Sequence, residues 1–376
     1  MTRATTPADP WHYPRPELAA KYLQVFDIGL SSARALFAKR RMGKSEFLEQ
    51  DLIPAARDAG YLTVYLNLWD ARSHPAPAFL AALTRALKPT GLRKLAKTLK
   101  RPLKSIKASA KVAGMAEGSL EAELGGTEAA VTPRLTELIR SFDKPNRRML
   151  LVLDEAQVLA ESAHTDLAYS LRASLDGRKQ NIKVIFAGSS EATLRRMFGR
   201  STEPFYNWAP LEPFELLGEE FVRAMVVKVN RLSKYPLTQK DALAAFGSLK
   251  RTPEFFRRYL SRYLAYADLG SKAALLDTEA HVFNDANFVS TWHRLLPADR
   301  ELLRLIVSGV TDLFSESSRG RLGAALGLNE SVAKNVPQQS LRRLQDADLV
   351  LRMDYGDYRV QDDALAEWLR NQELEG

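Results

Sequence analysis

Gly43-Lys44-Ser45 and, about 110 positions downstream, Asp154-Glu155 are the residues best placed by type and spacing for phosphate chemistry. A glycine lets the backbone approach a phosphate closely, a lysine offers charge to the β- and γ-phosphates, and a serine hydroxyl suits Mg²⁺. The usual pattern GxxxxGK[ST] begins with a glycine, and this chain has Ala38 there. Alanine is tolerable at that position provided its φ is negative. The loop expected to cradle phosphate with its main-chain amides is Ala38, Lys39, Arg40, Arg41, Met42, Gly43, Lys44 and Ser45, with Glu46 opening the helix behind it. The tripeptide alone could also be a chance match in a basic protein.

The second segment, "MLLVLDEAQ", strengthens the first. An acid ending a buried strand beside the phosphate-loop strand can hold Mg²⁺ through water, which assigns Asp154 and Ser45 to metal. Glu155 is then the candidate general base for an attacking water. Two like charges at a strand end are costly unless a cation sits nearby. In "VIFAGSSEATLRRMFGRSTEPFY", Ser189 and Ser190 follow another apolar run and could reach a γ-phosphate or water. Arg196 and Arg200, with Arg195, stand where many oligomeric ATPases present an arginine to a neighbour's site, or else form a solvated or nucleic-acid-facing surface.

These residues need a sheet to position them. Ala33–Phe37, 61–68, Met149–Leu153 and Ile182–Ala187 are apolar or β-branched runs that read as strands. Between them lie helical patterns over Glu46–Ala59, Ala78–Leu87, Pro133–Phe142 and Ser162–Leu175. Such alternation predicts a parallel sheet covered on both faces. Residues 214–275 are almost wholly helical in periodicity. From about 293, three helices and two short strands around Tyr355-Gly356-Asp357 give a winged-helix pattern. The pattern therefore predicts an α/β fold followed by a helical stretch and a C-terminal winged helix, which the resemblance given below makes a three-layer P-loop NTPase core with a helical lid. Its divisions are an N-terminal arm over 1–19, a core over 20–213, a lid over 214–290 and a winged helix over 291–376.

An insertion is expected at about 88–125. Lys88–Lys111 carries nine Lys or Arg and no acid, with Leu92, Leu95, Leu99 and Leu103 at helical spacing. A basic helix leading into a hairpin fits this stretch, suited to acidic protein, nucleic acid, an anionic membrane surface or plain solvent.

The motifs "FAKRRMGKSEFL", "LLVLDEAQ", "VIFAGSSEATLRRMFGRSTEPFY" and "RTPEFFRRYL" resemble those of the archaeal-type ATPases of the STAND clade, relatives of AAA+ and origin-recognition ATPases. The family loop reads closer to GPRRxGKT, so the chain departs at Ala38 and Lys39 and has Ser45 for threonine. The resemblance implies ATP and Mg²⁺ as cofactors, slow hydrolysis and nucleotide-controlled self-association. It also implies that Pro253 takes the place of the proline of a GxP turn near the base, although the glycine of that turn is absent.

Composition narrows the alternatives. A formal charge of +9 makes an anionic partner reasonable, whether nucleotide, duplex DNA or an acidic protein effector. With no cysteine, disulfides and thiolate metal sites are excluded and a reducing compartment is expected. The five histidines have no ligand spacing. The first residues contain no apolar segment of a secretory signal, and no run approaches ~20 apolar residues, so a cytoplasmic protein without a membrane span is expected. In the winged helix the third helix, about Ser331–Ala347, offers Lys334, Gln338, Gln339, Arg342 and Arg343 for DNA. The wing carries Asp346, Asp348, Asp354, Asp357, Asp362 and Asp363, whose charge opposes a phosphate backbone and favours a protein-facing or intramolecular role.

Overall fold

A computed structural model describes residues 9–87, 128–142, 147–283, 286–354 and 357–374. The basic insertion and the hairpin expected within it lie outside the described residues. The predicted strands appear as β1 Ala33–Phe37, β2 Leu62–Asn67, β3 Met149–Asp154 and β4 Ile182–Gly188, joined by a short β5, Leu211–Pro213. All pairings are parallel, in the order β2-β3-β4-β1-β5.

This order corrects one expectation. The strand ending in Asp154 does not lie beside the phosphate-loop strand, because β4 runs between them. Crossing one extra strand spacing of about 4.8 Å leaves room between the two strand ends. Long side chains from both sides can meet in that room.

Side chains alternate between the two faces with the strand period of two. Leu36, Leu150, Val152, Ile185 and Ala187 pack on one side. There they meet helix α1, Pro16–Asp27, and the phosphate-loop helix α2, which runs through Lys44–Phe47, a π-type turn Leu48–Leu52 and Ile53–Asp58. Ala35, Leu151, Leu153, Val184 and Phe186 face the other side. Covering them are α3 Pro75–Leu87, α4 Glu128–Ser141, α5 Thr165–Asp176 and α6 Glu191–Gly199. Strands buried on both faces explain the continuous apolar runs over β3 and β4.

The second half of the chain is built on a separate apolar cluster. Its helices are α7 Glu219–Leu232, α8 Gln239–Ser248, α9 Pro253–Ala265, α10 Gly270–Phe283 and α11 Ala286–Arg294. Phe221, Phe246, Phe256 and Tyr259 form a run of ring contacts through it. Then come α12 Pro297–Val307, α13 Glu316–Ala325 and α14 Asn335–Asp346, the antiparallel pair β6 Val350–Asp354 and β7 Asp357–Val360, and α15 Asp363–Leu374. Three helices and a two-stranded wing give the winged-helix arrangement. Its third helix starts four residues later than expected. The amide of Val332 bonds the Arg319 carbonyl (3.2 Å), which draws 331–333 out of helical geometry. No described helix is long and apolar enough to cross a membrane.

Inside this module Arg343 is not a free groove-reading cation. Its guanidinium makes a 2.6 Å bond to Asp299 of α12, a residue only 3% exposed. Asp299 in turn raises the Arg343 pKa. Truncating Arg343 to alanine leaves a buried carboxylate without its partner, a change of about 3 kcal/mol. Urea unfolding of Arg343→Ala is therefore expected to show a large loss in the C-terminal half. Arg342→Ala, at an 84% exposed side chain, should be near neutral.

Candidate functional site

The phosphate-loop segment leaves β1 with the Ala38 amide bonded to the Gly188 carbonyl (3.3 Å). Ala38 is buried and is not among the residues with positive φ, so its methyl group is accommodated. The left-handed turns of the loop fall instead at Arg41 (φ 66°) and Gly43 (φ 80°). Glycine is needed at 43, where a side chain would be strained. Arg41 adopts the same region at a cost of about 1 kcal/mol. It is held there by Asp362 (2.7 Å), by Glu254 (3.6 Å) and by the Phe255 ring beneath its guanidinium.

Helix α2 begins at Lys44 and aims its first residues at the end of β3. Lys44 Nζ lies 2.6 Å from Asp154 Oδ1, both groups being buried at 5% and 0% exposure. The Ser45 hydroxyl donates to Asp154 Oδ2, and Tyr65 on β2 donates to the same oxygen at 3.2 Å. Burial, with the nearby Asp154 and Glu49 carboxylates, pushes the Tyr65 phenol pKa far up, so it keeps the proton it donates. The sequence-assigned lysine, serine and aspartate thus converge at one point.

Glu155 follows in a left-handed conformation (φ 52°), which turns its carboxylate toward the loop. Its Oε1 is 3.6 Å from Lys44 Nζ, and its Oε2 accepts from Ser189 Oγ at 2.8 Å. Gln157 also donates to Oε2 and, at 3.2 Å, to Ser189 Oγ. That amide packs so tightly on Gly188 that any Cβ there would lie 2.3 Å from Gln157 Oε1. Of the two adjacent serines, Ser189 is the one sequence assigns to the γ-phosphate end, and the two have separate roles. Ser190 caps α6 by accepting from the Thr193 amide, which leaves Ser189 to face the site.

A cleft of about 880 Å³ opens over this point, within the range of small-ligand sites. The predicted residues Lys39, Arg40, Arg41, Met42, Glu46 and Pro253 all line it, as do Gly43, Lys44, Ser45, Glu155 and Ser189. Ala38 and Asp154 are not among the lining residues; one lies beneath the loop and the other beneath Lys44. Arg196 and Arg200 do not line it either. Arg196 bonds the Ala160 carbonyl and approaches Glu203, and Arg200 is exposed after α6.

Several lining residues carry no strong signal in sequence. Arg257 and Arg258 project from α9, the first pairing with Asp9 (2.6 Å) and Glu46 (3.5 Å). "FFRRYL" could have given them, since Phe255, Phe256 and Tyr259 face the core and leave the arginines on the opposite side. Trp11 enters from an arm fixed by His12, whose ring nitrogens contact Glu46 (2.8 Å) and Asp51 (3.0 Å). Asn67 ends β2 and Trp69 follows it, with Arg40 and Arg72 over the Trp69 ring.

Pro253 opens α9 as its first residue and is buried against the cleft. Just before it Lys250 and Arg251 both have left-handed backbones (φ 57° and 52°). This is the turn at which the resembled pattern has glycine.

The arrangement suits an anion with a hard cation. Cationic side chains from the loop and α9 surround the cleft, and Ser45 Oγ with Asp154 could hold a divalent ion through oxygen. Among the described residues no group of three or more His, Cys, Asp or Glu could hold a metal by itself. A cation here would complete its coordination with water or ligand oxygens.

No family model matches the chain, and the search of curated proteins gives no match. Solved structures do match along nearly its whole length. A Walker-type ATPase of Pyrococcus abyssi superposes with a TM-score of 0.61 at 18% identity, covering 95% of each chain. The ORC2 protein of Aeropyrum pernix, solved as ADPNP–ADP complexes, gives 0.55 at 15% identity over 96% of this chain and 93% of its own. The ADP form of that protein gives 0.53 at 15% identity, over 95% and 92%. The chain thus has the α/β P-loop NTPase fold shared by these archaeal Walker-type and ORC proteins.

Proposed function

We propose that the chain binds ATP with Mg²⁺, hydrolyses it slowly, and uses the bound nucleotide to control the position of its lid and winged helix. The observation that carries this reading is the convergence of Lys44, Ser45 and Asp154 at the mouth of a left-handed glycine loop. The nucleotides named for the ORC2 protein support it by analogy of fold.

The roles follow from the geometry. The loop amides and the N-terminus of α2 receive the phosphates. Lys44 swings from Asp154 to the β- and γ-phosphates, and Asp154 with Ser45 is left to hold Mg²⁺. The ion supplies charge neutralisation at the transferring phosphoryl group. Glu155, oriented by Ser189 and Gln157, accepts the proton of the attacking water. Arg257 and Arg258 approach from the lid side, and Trp11 with Pro253 borders the cleft's base end. Arg196 and Arg200, away from the chain's own cleft, are reserved for a second copy's site in an ATP-dependent assembly.

The direct test is thermal unfolding with ATP, with and without Mg²⁺. At a hundred times Kd a ligand selective for the folded state adds about 2.7 kcal/mol, a rise of several degrees in Tm. Trp11 provides a fluorescence signal for the same titration. No shift with ATP-Mg²⁺ and no change in fluorescence would remove the proposal.

A second reading, duplex-DNA binding by α14, is favoured by one observation. Gln338, Gln339 and Arg342 lie exposed along this helix, and Lys334 is exposed at its N-cap. Binding that weakens with salt and falls on Arg342→Ala would establish it.

A further inference from the structure

The acidic wing finds its counter-charge at the phosphate loop. Arg41 of the loop bonds Asp362, the residue that precedes α15, at 2.7 Å. Next to it, the buried Gln361 donates its amide to the backbone carbonyl of Ser189 at 3.1 Å. Asp348, on the turn between α14 and β6, faces Ser190, Arg40, Arg72 and Glu155, and burial raises its pKa. Three residues of the winged-helix domain thus sit on the two segments to which the γ-phosphate end of the cleft is assigned.

We propose that the acidic edge of the winged-helix domain competes with the γ-phosphate of ATP for the phosphate-loop arginines, so that ATP but not ADP loosens the domain from the core. This rests on the nucleotide reading above. The direction follows from charge. Asp362 neutralises Arg41 through a direct ion pair, and Asp348 lies in the field of Arg40. A γ-phosphate would add negative charge between the same arginines, beside Glu155 and Asp348. Like charges then face one another across a partly dry contact, while both arginines gain a stronger anionic partner. The diphosphate ends short of this position and leaves the contacts intact. The lid is drawn into the same exchange, because Glu254 at the start of α9 also reaches Arg41. An acidic wing, unsuited to a phosphate backbone, is well suited to acting in place of a phosphate.

The chain has no cysteine, so a pair of labels can be introduced without background. Asp58→Cys on the core and Gln339→Cys on α14, both exposed, report the separation by energy transfer. A non-hydrolysable ATP analogue with Mg²⁺ is expected to lower the transfer, and ADP to leave it as in the ligand-free chain. The pair Asp348→Asn and Asp362→Asn should lower it without ligand and tighten analogue binding at least about five-fold, with ADP binding changed less than about two-fold. Asp362→Glu should retain the ligand-free state. Equal transfer with analogue and ADP, both bound by the wild-type chain, overturns the competition while leaving the nucleotide site standing. Binding of neither nucleotide removes the functional reading and this inference together.

Discussion

Lys44→Ala is expected to abolish the ATP-dependent rise in Tm and also to lower the stability of the ligand-free chain. The first effect follows from loss of the charge that meets the phosphates. The second is peculiar to this geometry. Lys44 and Asp154 form a pair buried at 5% and 0% exposure, so removing the cation leaves the carboxylate uncompensated in a dry environment. Breaking such a pair costs about 3–5 kcal/mol. Ser45 and Tyr65 still donate to Asp154 Oδ2, which places the expected loss at the lower end of that range. Adding Asp154→Asn to Lys44→Ala should recover a good part of the loss, because the orphaned charge is gone. Urea unfolding of the two single variants and the double variant measures this coupling. Full ATP-dependent stabilisation in Lys44→Ala would mean that the nucleotide binds elsewhere.

Much of this site was legible because its residues stand at the ends of apolar runs. β3 and β4 lie in segments that water cannot reach, so a polar residue closing the run marks a strand's carboxyl end. Asp154-Glu155 and Ser189 stand out in this way, and Gly43-Lys44-Ser45 through its match to the phosphate-loop pattern. Strand order does not, since periodicity records burial and says nothing of neighbours. β5 escaped because three residues ending in Pro213 show no alternation. Tyr65 was read as one more aromatic of a buried strand, yet its hydroxyl reaches Asp154. Arg342 and Arg343 look equivalent in sequence. A turn of about 100° between successive helical residues sends one to solvent and the other to Asp299.

The same limit explains the wing. Its acids could be counted from sequence, and their sign argued for an intramolecular partner. Only the fold shows that one of them, Asp362, bonds the loop that sequence marks for phosphate, with Asp348 close enough to feel Arg40. Arg40 and Arg41 therefore stand at the junction of ligand, lid and winged helix. Arg41 combines a strained backbone with partners in both α9 and the winged-helix module, which is the kind of residue that responds to a new charge.

Glu155→Gln separates binding from chemistry. The amide keeps the shape of the side chain and can still contact Ser189, so ATP-dependent stabilisation should persist. Removing a general base lowers turnover by about 10²–10⁴-fold. Phosphate release in a single-turnover assay is accordingly expected to fall to the background rate, with the ATP-bound state trapped. Ser189→Ala should have a smaller effect, because Gln157 still orients Oε2. Removing Ser189 and Gln157 together should approach the loss seen for Glu155→Gln, since the carboxylate then lacks both donors that fix it. Turnover at the wild-type rate in Glu155→Gln would assign the proton to another acceptor. Asp154 could not fill that role at once, because it is assigned to the cation and the Tyr65 hydroxyl already donates to its Oδ2.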